Sequence, residues 1–351
     1  LPRPRLDHLV RMTDGTGIIH SAHFDIPDRS SGYYTEDNAM ALAVAVLSHV
    51  QSGDETSHAL ARTYLGLLQY MQKPDGKFHA HLNYDRTFAD QVDGQECQGK
   101  ALEALGIAIA LEEDDALVSF AKLIFDDALK DLDLTYPRAQ SYAICGCYHY
   151  LTRFPGASLP EAALGRMAGE IADSYELNSS SDWQWFEDEL TYANGLMPRA
   201  LLLAHRLTKD ERYREVALES LEFLTRTCYA QGYFDLVGDQ GFCPRGGERA
   251  KFNQLPIEAT SLVEAYIDAF TIVRDDRYLE LARTAFEWFL GRNALNQPLY
   301  DFADFSCSDS LMLHGVNPDK GAEATIYWLL ALLRVQTALH VGPLEGAVAV
   351  S

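Results

Sequence analysis

Six polar, aromatic-rich stretches of this 351-residue chain run directly into apolar helical patterns: GYYTEDNA (32–39), FHAHLNYDR (78–86), DGQECQGKA (93–101), DWQWFEDELTYANG (182–195), NQLPIEATS (253–261) and SCSDSLMLHGVNPDKGAEAT (306–325). They bring carboxylates to the first turn or so of helices that are otherwise apolar. A carboxylate taken out of water is costly unless it is paired, hydrogen-bonded or used. Two that converge on a glycosidic bond can divide the work, one protonating the leaving oxygen and the other activating water or attacking the anomeric carbon. Asp37, Asp188 and Glu258 are the candidates for those roles; spacing does not say which is acid and which is base. Tyr34, Asn38, His79, Arg86, Glu96, Trp183, Trp185, Glu187, Tyr192, Asn194, Asp309, His314 and Glu323 are the candidates for binding the substrate.

Each motif also has a structural reading. Glu36 and Asp37 suit a helix N-terminus, where an acid caps free N–H groups. Glu258 and Glu323, both in E-A-T, are followed by buried-looking residues, which favours pocket lining over capping. Glu187 and Asp188 are adjacent and cannot point the same way on a helix, so one is expected to face substrate while the other anchors the loop. Trp183 and Trp185 are either core residues or a stacking platform for the apolar face of a sugar ring. His79 and His81 form an H-x-H pair without an obvious third ligand, so a metal is not expected.

The elements that must position these residues are helices. Apolar residues recur at helical spacing almost throughout, and no convincing alternating strand pattern occurs. Helices at 37–49, 98–111, 138–151, 190–207, 257–273 and 321–339 are apolar nearly all round and should be buried. Amphipathic helices at 56–72, 116–129, 159–175, 211–228 and 277–290 alternate with them, several opening on an acidic turn (GDETSHALARTY, EEDDALVSFAKL, TKDERYREVALES, RDDRYLELARTA) that suits the helix dipole. Connections from buried to amphipathic helices are short; most of those running the other way are long. A ring of α-hairpins, buried helices inside, would gather the long loops at one end, where function is expected. A helix at about 6–12 supplies the twelfth member; an open solenoid is the alternative. The reading is one all-α domain over residues 1–351, an (α/α)6 toroid.

The motifs GYYTEDNAMAL, DGQECQGKALEALG, DWQWFEDELTYANGLMPRALL, FLGRNALNQPLYDF and GVNPDKGAEATIYWLLAL together resemble a bacterial and archaeal family of (α/α)6-toroid, glycosidase-related domains, often found beside or fused to glycosyltransferase domains and related to the six-hairpin glycosidase superfamily. The resemblance runs from about residue 18 to 339. The family usually has D-D-N where this chain reads Glu36-Asp37-Asn38, and E-D where it reads Gln95-Glu96. The resemblance implies carbohydrate work in the ring's pocket.

Composition narrows the classes. A net charge of −22 without a basic cluster disfavours nucleic acid and anionic membranes as partners. Six cysteines without metal-ligand spacing read as reduced core residues, which favours a cytoplasmic protein. No apolar run reaches the roughly 18 residues of a membrane span, and nucleotide and serine-hydrolase motifs are absent, so no cofactor is expected. The expected function is a glycoside hydrolase acting on an oligosaccharide. The alternatives are a sugar epimerase or isomerase, with His79 and His314 as its bases, and a non-catalytic glycan-binding domain serving a glycosyltransferase partner.

Overall fold

The apolar periodicity becomes twelve α-helices among the described residues, which are 1–90 and 94–340 of this computed structural model. They are α1 (Asp7–Met12), α2 (Thr35–Ser52), α3 (Glu55–Met71), α4 (Gln95–Leu111), α5 (Asp115–Leu129), α6 (Pro137–Arg153), α7 (Ser158–Asn178), α8 (Leu196–Thr208), α9 (Glu211–Cys228), α10 (Pro256–Val273), α11 (Asp276–Glu287) and α12 (Ala322–His340). Asp93, the first residue of the DGQECQGKA motif, lies outside the described residues.

The even-numbered helices form the inner ring. Each packs on the next, α2 on α4, α4 on α6, and so on to α12, which returns to α2 and closes the circle, so the chain is not an open solenoid. Burial follows from that position: every residue of α4 from Cys97 to Ile109 is buried. The closest crossing, α4 on α6, depends on Gly106 and Gly146, since a Cβ on Gly146 would lie 2.3 Å from the Leu102 carbonyl oxygen. The outer helices α3, α5, α7, α9 and α11 each pack on the inner helix before them, and α1 packs on α12. The acidic turns are their caps. Asp54, Asp114, Asp210 and Asp275 accept backbone N–H bonds at the starts of α3, α5, α9 and α11.

The loops leading into inner helices contain ten short strands: β1 (Ser21–His23), β2 (Ile26–Asp28), β3 (Tyr33–Tyr34), β4 (His81–Leu82), β5 (Glu189–Leu190), β6 (Tyr229–Ala230), β7 (Tyr233–Phe234), β8 (Cys243–Pro244), β9 (Leu311–Met312) and β10 (Gly315–Val316). All pair antiparallel in twos. Two pairs, β3 with β4 and β5 with β8, tie successive loops together at this end of the ring, and a bridge from Gln254 to Leu311 ties a third. These strands are too short for alternation to betray them. They also correct one helix boundary: a helix from residue 190 is not formed, because Leu190 pairs with Cys243 and the chain turns through Asn194 before α8 starts at Leu196. All six cysteines are buried and unpaired, and no described helix is long and apolar enough to cross a membrane.

Candidate active site

The first turns of the inner helices point a polar cluster at the ring's centre. From α4, Lys100 reaches Glu36 of α2 at 2.8 Å and its own-helix neighbour Glu96 at 3.2 Å. Its ammonium stands over the rings of Tyr142 of α6 and Tyr327 of α12, whose hydroxyls are 3.4 Å apart. Burial opposes a charge here, yet Glu36, the two tyrosines and Glu96 hold the lysine pKa well above its ordinary value. Glu96 in turn accepts from the Tyr192 hydroxyl at 2.6 Å. Arg138 of α6 lies over the Tyr192 ring and donates to Glu187 at 2.8 Å and to the Tyr192 carbonyl at 2.6 Å.

Beside this cluster, between the starts of α10 and α12 and the segment around His20, opens a cavity of about 280 Å³ lined in part by His20, Asp309 and Glu323. His20 lies in the segment before β1, and its Nδ1 is 2.7 Å from Asp37 of α2. Burial disfavours the imidazolium, but the Asp37 hydrogen bond and charge, with Glu323 and Asp309, raise its pKa. The His20 ring packs on Tyr34, which stacks on His81. Glu323, in the first turn of α12, accepts no hydrogen bond among the described residues. Its side chain is open to the cavity, but protein surrounds it, and desolvation pushes its carboxyl up to about 7. Lys100 opposes that rise, and the charges of Asp37 and Glu36 add to it. Asp309 is likewise pushed up by burial, against the Gly321 N–H bond that it accepts at 2.6 Å. A proton donor that keeps its proton near neutrality, facing a carboxylate fixed by an imidazole, is equipped for acid–base chemistry.

Of the expected catalytic acids, the structure brings only Asp37 next to this cavity, behind His20 to which it is bonded. Asp188 is turned outward with its side chain 83% exposed, because β5 pairing with β8 directs the chain so that Glu187, not Asp188, faces inward. Glu258 is buried, and both oxygens are taken by Asn194, one by the side-chain amide at 2.8 Å and one by the backbone N–H at 3.0 Å. Burial raises its pKa to about 7 against those bonds. This pair fastens the turn before α8 to α10, which removes Glu258 and Asn194 from direct substrate contact.

The binding candidates divide as well. Tyr34, Glu96, Glu187, Tyr192, Asp309 and Glu323 belong to the cluster or its wall. Asn38 is fully buried and spent on the backbone of Ile18 and Tyr34. Trp183 and Trp185 are core residues, packed against Phe223 of α9, with the Trp183 indole donating to the Glu187 carbonyl. They offer no face to a sugar. His79 is held by Asp90 at 2.6 Å and stacks on Phe88, away from His81, whose Nε2 meets the Ser31 carbonyl. Arg86 is exposed over the outer side of Tyr33, and His314 is exposed in the turn between β9 and β10. His20, Lys100, Arg138, Tyr142 and Tyr327 went unread in the sequence. The last four stand within the first two turns of apolar inner helices, a signal the carboxylate search passed over; His20 sits in irregular chain with no periodic signal.

A larger groove of about 760 Å³ lies at the opposite end of the ring between α1, the end of α2 and α12, where Arg5 and Asp7 form an exposed ion pair. It brings no buried acid–base groups together.

No protein-family model matches the sequence, and no curated protein matches it. The fold has clear counterparts among solved structures. A sugar epimerase from a ruminal bacterium superimposes with a TM-score of 0.73 at 13% identity, covering 96% of this chain and 95% of the other. The cellobiose 2-epimerase of Bacillus thermoamylovorans gives 0.73 at 10% identity, with 96% of each chain covered. An inactive variant of the α-1,6-mannanase GH76A of a Salegentibacter species, in complex with α-1,6-mannotetrose, gives 0.65 at 9% identity over 95% and 96%. At these identities the likeness is one of fold, the (α/α)6 toroid.

Proposed function

We propose that this chain is a carbohydrate-active enzyme that hydrolyses a glycosidic bond in the cavity between His20 and the starts of α10 and α12. The observation that carries the reading is the placement of Glu323, whose carboxyl opens into that cavity with no hydrogen-bond partner among the described residues; desolvation by the protein around it pushes its pKa up to about 7. It donates that proton to the leaving oxygen. Asp37, oriented by His20, is the second carboxylate, activating water or attacking the anomeric carbon. Lys100 and Arg138 hold Glu36, Glu96 and Glu187 in place around the ring's centre. The α-1,6-mannanase on the same fold, complexed with a mannose oligomer, supports an oligosaccharide as substrate.

A second reading rests on His20. An imidazole with a raised pKa beside Glu323 forms a base and acid suited to moving a proton next to a sugar carbonyl, as in epimerisation or isomerisation, and the sugar epimerases on this fold accord with it. A panel of manno-, gluco- and galacto-oligosaccharides, with free aldoses incubated in heavy water, separates the readings. Release of reducing ends assigns hydrolysis; deuterium entering a free sugar without bond cleavage assigns epimerisation and overturns the hydrolase. Saccharide binding without either reaction assigns a glycan-binding domain, for which a glycosyltransferase is the proposed partner.

A further inference from the structure

The walls of the cavity beside Glu323 say which sugars it admits. Facing His20 are the carboxylates of Asp239, Asp309 and Glu323, the Asn253 amide and the Ser310 hydroxyl, and no lysine or arginine lines it. Ser310 is 4% exposed as a residue, and its hydroxyl lines the cavity without a hydrogen bond to any described residue, so it can donate to or accept from whatever enters. Cations near this wall are committed elsewhere: Lys100 to Glu36 and Glu96, Lys320 to Asp301 and Asp304. Carboxylates and amide oxygens accept hydrogen bonds from hydroxyls, whereas a phosphate or a uronate carboxylate brought here would meet the acids of the wall, Asp239 foremost, while the one cationic group in that wall, His20, is already bonded to Asp37. At about 280 Å³ the space falls just below the range of pockets that hold drug-sized ligands, which suits one sugar ring.

We infer that this cavity is a subsite for a single uncharged sugar unit, with Asp239, Asp309 and Ser310 reading its hydroxyls, and that it rejects phosphorylated and uronic sugars. The inference rests on the reading of the cavity as a saccharide site.

The test compares matched pairs of one oligosaccharide bearing a neutral terminal unit, its 6-phosphate or its uronic acid, by kcat/KM and, independently of turnover, by calorimetric binding. The neutral form is expected to be favoured about 100-fold or more, since a like-charge contact is heavily penalised. Asp239→Asn should narrow that ratio about 10-fold by removing a repelling charge from the wall. Because Asp239 also accepts the Asn253 N–H, this variant is judged on the ratio within one preparation, which a reduced folded fraction leaves unchanged. Equal use or binding of the anionic forms, or an unchanged ratio in Asp239→Asn, overturns the inference. Selective binding of neutral sugars without turnover upholds it while defeating the hydrolase reading.

Discussion

Glu323, the proposed proton donor, couples the site to the stability of the fold. Desolvation by the protein around the cavity first, then the charges of Asp37 and Glu36, lift its pKa from the ordinary 4.5 to about 7 despite Lys100. Between those values the native protein holds a proton that the unfolded chain has released, so this residue's contribution to stability falls as pH rises from 4.5 to about 7 and is fully lost above it. Glu323→Gln is uncharged at every pH and escapes that loss. Thermal melts should therefore show the variant more stable than the wild type at pH 8 and equal to it at pH 4. A variant less stable at pH 8 would mean that the carboxylate is structurally anchored. The sequence shows which acids to consider: Asp37, Glu96 and Glu323 stand at the heads of otherwise apolar helices, and Asp309 lies in the polar stretch that leads into α12. Glu258 carried the same signature, and only the geometry shows that Asn194 occupies both its oxygens.

At the scale of elements, the 179–195 loop shows where sequence reasoning stops. Its composition, two tryptophans beside an acidic pair, fits a sugar platform as well as a core plug, and what decides between them is the position of α9 behind the loop. Phe223 of that helix receives both indoles edge-on or tilted, and Trp185 is fully buried. Trp185→Ala is thus expected to cost about 3–5 kcal/mol in chemical denaturation while leaving saccharide affinity unchanged. A loss of binding at full stability would return the indole to the site. Helices, their caps and the inner-outer alternation were legible because 3.6-residue periodicity and acidic turns are local properties. The ten strands were not, since two or three residues are too few for alternation to show, and two of the five pairs depend on which loops meet. For the same reason His20 was hidden: it becomes a site residue only because α2 delivers Asp37 to it.

The molecule as a whole separates its chemistry from its scaffold along the ring's axis. Deeper than the cluster at the helix N-termini lies a second ionic group, Arg199 bonded to Glu103 at 2.7 Å, Glu264 at 3.0 Å and Asp268 at 3.2 Å, with Arg334 bridging the last two. It joins α4, α8, α10 and α12 through the barrel's interior, where no apolar contact can specify so much about relative helix position. Arg199 is 2% exposed, so Arg199→Met leaves three acids without their shared partner and should cost about 3–5 kcal/mol. Equilibrium denaturation checks this, and a near-neutral variant would show that the network is dispensable to the ring. Neither this group nor the groove at the far end touches the cavity of Glu323, and the proposed function depends on that cavity alone. Its most direct test is the rate of reducing-sugar release by the wild type and by Glu323→Gln on the oligosaccharide that the wild type turns over. Loss of a general acid predicts a rate lower by about 10²–10⁴ in a variant with an unaltered helical signature; a Glu323→Gln protein as fast as the wild type would contradict the account.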